Sequence, residues 1–247
     1  MSAGDGWLTV TVMPEGLAGR MLDAYGGEES WRSSTAVEAH LTIGGLLFRW
    51  KRRSQGRWPS VRVRVEAHDP RTRFDPIDRE GNVAVLEGHS VRLERPDGTL
   101  VEERAYARPK ALGRKTFGWD SIDIGYFFGY TMWNYLALPA LLLREDIGWS
   151  ESAEDTLEAR FPPEIPTHSP LQRFHVELES GRLRQHDYTA EPFGVFAKAA
   201  HMIEEHNSFD GLVAPSKRRV RPRAGDKGGP LPGPLLIWAD VHEYKLV

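Results

Sequence analysis

"DSIDIGYFFGYTMWNYLALPALLLRE", Asp120 to Glu145, is the stretch whose reading decides the fold. From Ile124 to Leu143 it carries no charge, and its apolar residues fall on every side of a helical wheel. A helix that is apolar all round is surrounded either by protein or by lipid. About 20 such residues are long enough to cross a bilayer. The run also contains three Tyr, Thr131, Asn134, Gly125, Gly129 and Pro139. These polar groups and breaks argue for a buried, pocket-lining helix and against a membrane span. Gly125 and Gly129, four residues apart, give such a helix a smooth patch for close packing.

Upstream of this segment the apolar period is two. Val37, Ala39, Leu41 and Ile43 alternate with Glu38, His40 and Thr42, and Leu46, Phe48 and Trp50 extend the pattern beyond Gly44-Gly45. "SVRVRVEA" sets Val61, Val63 and Val65 on one face and Arg62, Arg64 and Glu66 on the other. "VRLERPDGTLVEER" is a hairpin whose Pro96-Asp97-Gly98 fits a type I turn closed by a left-handed Gly. A meander of about six half-buried antiparallel strands is expected over residues 35 to 107. Before it, "PEGLAGRMLDAYGG" reads as a helix, with Pro14 in its first turn, Leu17, Met21 and Tyr25 on one stripe, and Gly26-Gly27 as its stop. "ESWRS" adds a further helical turn.

Downstream, "TLEARFP" is a strand and "LQRFHVELESGRLRQHDYTA" a hairpin. "FGVFAKAAHMIEEH" is expected to be a helix, with Phe193, Phe196, Ala200 and Ile203 on one face. "DGLVAPSKRRVRPR" and "LLIWADVHEYKLV" are long strands, joined by the flexible loop "AGDKGGPLPGP". There is no internal repeat. The expected class is α+β, with a large antiparallel sheet, an N-terminal helix and inserted helices, in one domain over residues 1–247.

Composition narrows the function. The chain has 247 residues, 40% hydrophobic and 27% charged, as in ordinary globular proteins. A net charge of −3 supplies no basic field for nucleic acid or anionic lipid. With no cysteine there are no disulfides, no thiolate catalysis and no Cys-ligated zinc or iron–sulfur centre. "MSAGDGWLTVTVMPEGLAGR" lacks a basic segment followed by a long apolar one, so a secretory signal is not expected and the expected location is cytoplasmic.

The order of one helix, a long meander, inserted helices and more meander resembles the bacterial lipoprotein-carrier (Lol-type) half-barrel superfamily. The likeness lies in that layout, in "DPRTRFDPIDREGNVAVLEGHSVRLERPDG", and in "DGLVAPSKRRV" leading to a last strand. In that superfamily a curved antiparallel sheet wraps around helices and leaves a cavity for an apolar molecule. "YFFGYTMWNYLALPALLL", "HSPLQRFHVELESGRLRQHDYTA" and "DGLVAPSKRRV" also look like an uncharacterised family of bacterial cytoplasmic proteins. The resemblance implies a half-barrel and a cavity for an apolar or lipid-like ligand.

The densest cluster of chemistry-bearing side chains is "RQHDYTAEPFGVFAKAAHMIEEH", Arg184 to His206. If Leu178 opposes Leu183, Glu177 faces Arg184 and Glu179 faces Arg182. His175 then lies opposite His186 on the charged face, and Asp187 points toward the core. A three-residue turn with Gly181 left-handed would shift the pairing by one and invert these assignments. The charge-matched register is the expectation. An inward Asp187 needs a partner, and Arg218, Arg219, Tyr188 or a helix His are the candidates. A structural ion pair, a tuned acid or base, and a metal ligand are all open for it. His201 and His206, five apart on a helix, cannot chelate one ion as an i, i+4 pair does, and no metal or cofactor is expected. His201, after Ala199-Ala200, is the better functional residue of the two. "DVHEY" sets Asp240, His242 and Tyr244 on one face of the last strand with Trp238. Ser169 has no nucleophile elbow, and there is no phosphate loop, dinucleotide fingerprint or H-E-x-x-H. "SKRRVRPR" reads as a solvated edge, so nucleic acid is not an expected partner.

Two functions of different kinds follow. The first is binding of an apolar or lipid-like small molecule in a cavity lined by Tyr126, Phe127, Tyr130, Trp133, Tyr135 and Trp238. The second is a cofactor-free acid/base enzyme (isomerase, cyclase or hydrolase) working on a hydrophobic small molecule in the same cavity. Asp187 would be its acid or base, His201 or His186 the partner, and Tyr188 the donor to a developing oxyanion. A third possibility is an interaction protein whose aromatic helix docks on a partner or a membrane.

Overall fold

The alternation that starts after Thr35 becomes β1 (Ala36–Gly44), with Val37, Ala39, Leu41 and Ile43 buried. The computed structural model describes residues 16–52, 55–109, 118–226 and 228–247. The expected turn at Pro14 lies outside these residues. β2 (Arg57–Glu66), β3 (Arg71–Asp75), β4 (Val83–Glu87), β5 (Ser90–Glu94) and β6 (Leu100–Arg104) continue the meander. Its last hairpin closes with Gly98 at φ 87°, as the Pro-Asp-Gly turn requires. The second series is β7 (Gly148–Ala153), β8 (Thr156–Arg160), β9 (Leu171–Val176), β10 (Leu183–Thr189), β11 (Lys198–Phe209), β12 (Leu212–Pro222) and β13 (Ile237–Leu246).

All these strands join one antiparallel sheet of 13 strands in the order β6-β5-β4-β3-β2-β1-β13-β12-β11-β10-β9-β8-β7. The first and last strands therefore pair at its centre, and β6 and β7 are its two edges. The chain between those edges must cross the whole sheet, and it does so as the apolar segment. α4 (Ser121–Leu136) and the short α5 (Leu138–Leu141) lie on the concave face, and the sheet curves around them as a half-barrel. Asp120 and Asp123 cap α4 reciprocally, each side chain accepting from the other's backbone N–H at 2.9 and 3.0 Å. Gly125 and Gly129 seat α4 directly on the sheet. A Cβ on Gly125 would stand 2.8 Å from that of Ala84, and one on Gly129 2.7 Å from that of Leu86. No helix among the described residues is long and apolar enough to cross a membrane. α1 (Gly16–Ala24) and α2 (Glu28–Ser33) cover the other part of the concave face.

Three segments depart from the sequence reading. Leu46–Lys51 is a helical turn, α3, and not more strand. Gly45 starts it at φ 156°, with room only for hydrogen where Leu236 O would sit 2.3 Å from a Cβ. Residues 198–209 are strand β11, not helix, because β10 and β12 pair with them on both sides. In β13 a register shift opposite His40/Leu41 turns Tyr244 inward, so it does not share a face with Asp240 and His242.

Candidate functional site

The 171–189 hairpin fixes which side chains enter the half-barrel. Gly181 takes φ 71° and the strands pair as Val176 with Leu183, His175 with Gln185, Phe174 with His186 and Arg173 with Asp187. This is the turn-shifted register, with a bulge at Arg184. The charge-matched register fails because exposed ion pairs contribute only about 0–1 kcal/mol each, too little to override turn geometry. A Cβ on Gly181 would also strike the Arg20 carbonyl at 2.5 Å, so helix α1 packs on the bare turn. His186 and Tyr188 therefore point inward and Asp187 outward, the reverse of the expectation.

On the outer face Asp187 is still buried, accepting from Gln185 at 2.8 Å and meeting His175 Nε2 at 3.1 Å and Arg223 at 3.6 Å. Its partner is thus neither Arg218 nor Arg219; the latter pairs with Asp240 at 2.7 Å. Burial pulls the Asp187 carboxyl upward, but bonds from His175 and Gln185 and the charge of Arg223 outweigh it and hold it below its ordinary value. His175 Nδ1 touches Thr156 Oγ1 at 3.0 Å, giving a hydroxyl–imidazole–carboxylate chain. The Thr156 hydroxyl, however, donates to Asp155 at 2.8 Å and is buried, so it is not set up to attack a substrate. Asp187 and His201 lie on opposite faces and do not form a pair.

Inside, the second half of α4 meets β9–β12 through a polar network. His168, missed in the sequence, meets Tyr130 OH at Nδ1 (3.0 Å) and Tyr135 OH at Nε2 (2.6 Å), donating to one hydroxyl and accepting from the other, and stacks on Tyr188 at 3.7 Å. Tyr135 OH also reaches Tyr188 OH at 2.9 Å. His186 Nε2 meets Gln172 Oε1 at 2.6 Å and stacks on Phe174 at 4.2 Å. Gln172 in turn bonds Thr167, which donates to Asn134 at 3.1 Å. Burial pushes His186 down to about 3 and drives His168 and His201 well below the ordinary imidazole value. All three are neutral near pH 7.

Beside this network is a narrow cavity of about 20 Å³, room for one water. α4 supplies Phe127, Phe128, Thr131, Met132 and Tyr135; the sheet supplies Ile43, Val220, Ile237 and Ala239. Two polar side chains complete the wall. His201 is 1% exposed, and neither ring nitrogen has a hydrogen-bond partner. Arg218, 4% exposed, lies 5.1 Å over the Tyr135 ring and donates from Nη2 to the Tyr135 carbonyl at 2.9 Å, while its Nε is unpaired. A second gap of about 10 Å³ lies on the far side of Tyr135 and Arg218.

Of the six expected lining residues, Phe127, Tyr135 and Trp238 border the cavity. Alternation along β13 puts the Trp238 ring on the outer face, over Gly44 and under the Arg57 guanidinium. Tyr126, Tyr130 and Trp133 do not line it. They are fully buried packing residues, bonded to His89 (2.9 Å), His168 and the Glu66 carbonyl (2.9 Å). A larger concavity of about 740 Å³ lies on the outer face of β1, β2 and β13. Its lining carries charges of both signs, with Arg64 paired to Glu38 at 2.7 Å, and selects no ligand sign.

No family model and no curated protein matches the chain. Among solved structures it is similar to a DUF1329 family protein from Desulfovibrio piger, at 11% identity and a TM-score of 0.48 over 93% of this chain and 90% of that one. It is also similar to a LolA superfamily protein from Nitrosomonas europaea, at 12% identity and a TM-score of 0.47 over 93% of each chain.

Proposed function

We propose that this protein binds an apolar or lipid-like small molecule between α4 and strands β11–β13. The observation that carries this reading is His201, fully buried on an apolar wall with both ring nitrogens unpaired. A buried polar group without a partner costs about 1–3 kcal/mol, a cost that a ligand completing it from the adjoining cavity would recover. The wall opposite, Phe127, Met132, Val220 and Ile237, offers hydrocarbon, and Met132 is the flexible member that can give way. At about 20 Å³ the space admits a ligand only by parting α4 from β12 and β13. The acid/base reading has less support, because Asp187 faces away from the cavity.

The test is a titration with N-phenylnaphthylamine, an uncharged probe that fluoresces in apolar surroundings. Saturable one-to-one binding is expected, lost in Met132→Trp, which fills the space. Absence of saturable binding, or a folded Met132→Trp variant that binds as before, would remove this site. Native mass spectrometry of the protein from its producing cells would identify the natural occupant.

A further inference from the structure

Resting on that binding reading, we propose that the ligand is an amphiphile with one negative charge, a carboxylate, whose head sits between Arg218 and His201. The argument begins with a charge that has no counter-charge. Arg218 stays protonated in proteins and is almost wholly buried. Buried charges are normally paired, since a lone one loses its hydration without compensation. No carboxylate among the described residues forms an ion pair with Arg218. Asp187, the acid for which the sequence makes Arg218 a candidate partner, is turned to the outer face and engaged by His175 and Arg223.

What does surround the guanidinium is neutral. The Tyr135 ring and carbonyl hold it, and the phenols of Tyr25, Tyr188 and Tyr244 stand in its field. Burial raises all of these phenols above their ordinary value, so none supplies a negative charge near neutral pH. The unpaired Nε of Arg218 and the unpaired ring of His201 line the same cavity. The Tyr135 ring contacts both, with its centroid 4.5 Å from that of His201. A neutral imidazole offers one N–H, and Arg218 Nε–H a second donor. Two donors and one positive charge fit the two oxygens and single charge of a carboxylate. A phosphate monoester brings more charge than one Arg neutralises, and an ammonium head would meet a cation.

The experiment is displacement of bound N-phenylnaphthylamine at neutral pH by four amphiphiles with the same dodecyl chain: dodecanoate, dodecanol, dodecyl phosphate and dodecyltrimethylammonium. Dodecanoate is expected to displace the probe at about 10- to 100-fold lower concentration than dodecanol, the worth of charge-assisted hydrogen bonds in a buried site. Dodecyl phosphate should be weaker than dodecanoate, and the cation should not compete. In Arg218→Gln the preference for dodecanoate over dodecanol should fall to about 3-fold or less. If Arg218→Gln does not fold, His201→Leu decides, with that preference reduced several-fold; an unchanged preference in a folded variant would overturn the carboxylate head. Equal displacement by dodecanol and dodecanoate would overturn the carboxylate head and leave the apolar site standing. No probe binding at all would overturn the site itself.

Discussion

Helix α4 has two neighbourhoods, and they differ in what they ask of the sequence. Toward β2–β5 it is mostly dry, with single bonds from Thr72 to the Gly129 carbonyl and from Trp133 to the Glu66 carbonyl. Phe128 stacks on Phe74 at 4.7 Å and meets Trp58 and Phe48 edge-on at 4.8 and 5.0 Å, and the two glycines press against Ala84 and Leu86. Toward β9–β12 the same helix faces three imidazoles, a phenol, a carboxamide and a guanidinium. Hydrocarbon burial is enough to hold a helix on a sheet. The second neighbourhood therefore does something that stability alone does not need. Its network of Tyr130, His168, Tyr135 and Tyr188 is satisfied and fixes the helix in register. His201 and Arg218 are left incomplete, and their incompleteness marks the site.

The largest expected effect that tests this contrast is acid sensitivity. His168, His186 and His201 have folded pKa values below the roughly 6.5 of an unfolded chain. Below about pH 6.5 the unfolded chain takes up protons that the folded one refuses, so stability falls as pH falls. For His186 that decline continues to about 3. Each group contributes a slope of up to about 1.4 kcal/mol per pH unit, and His186 alone roughly 2 kcal/mol by pH 5, with His168 and His201 adding in the same direction. That is a large fraction of the stability of a typical domain, about 5–15 kcal/mol. Asp187 acts in the same direction in a lower window, since the stability from its depressed pKa is present above about 3.9 and is lost only at lower pH. Urea midpoints between pH 7 and 5 should fall steeply. A flat profile would mean the imidazoles are protonated or solvated, and the contrast would collapse.

The dry neighbourhood was the legible one. Val, Leu and Ile at every second position face a core, so β1 and β2 follow from period, and the buried α4 follows from an uncharged run that is apolar on every side. The polar neighbourhood was not. Residues 198–209 contain Ala199, Ala200, Met202, Glu204 and Glu205, good helix formers, and only pairing with strands far away in sequence makes them β11. Arg218 sits in a run of basic residues where nothing local separates it from surface charge. Its one signal is alternation, because Ala214, Ser216, Arg218 and Val220 fall on one face and all four are buried. His168 lies in a loop without period, and no pattern in the chain could have placed it between two tyrosines.

A second test sits in the dry half. Phe128→Ala removes a ring that is 1% exposed and should cost about 3–5 kcal/mol, read as a lower urea midpoint with the denaturant slope unchanged. The rings it packs on, Phe48, Trp58, Phe74 and Phe127, do not titrate, so the whole pH profile should drop without changing its steepness. A change in steepness would show that the two neighbourhoods are coupled through α4 rather than independent.

The smallest effect expected at neutral pH is the most discriminating. His201→Leu replaces an unpaired buried imidazole with a side chain of similar size. Truncating a well-packed core residue is destabilising, but here the native group already bears an unrecovered desolvation cost of about 1–3 kcal/mol. Without ligand, His201→Leu should therefore leave stability at pH 7 unchanged or raise it by about 1 kcal/mol. Between pH 6 and 5 it should also remove one group's share of the acid slope, about 1.4 kcal/mol per pH unit. The two measurements must move together. A variant that loses about 2 kcal/mol or more at pH 7 would show that His201 has a partner in the folded protein. His201 would then belong to the satisfied network with His168 and His186, and Arg218 alone would be left to define the site.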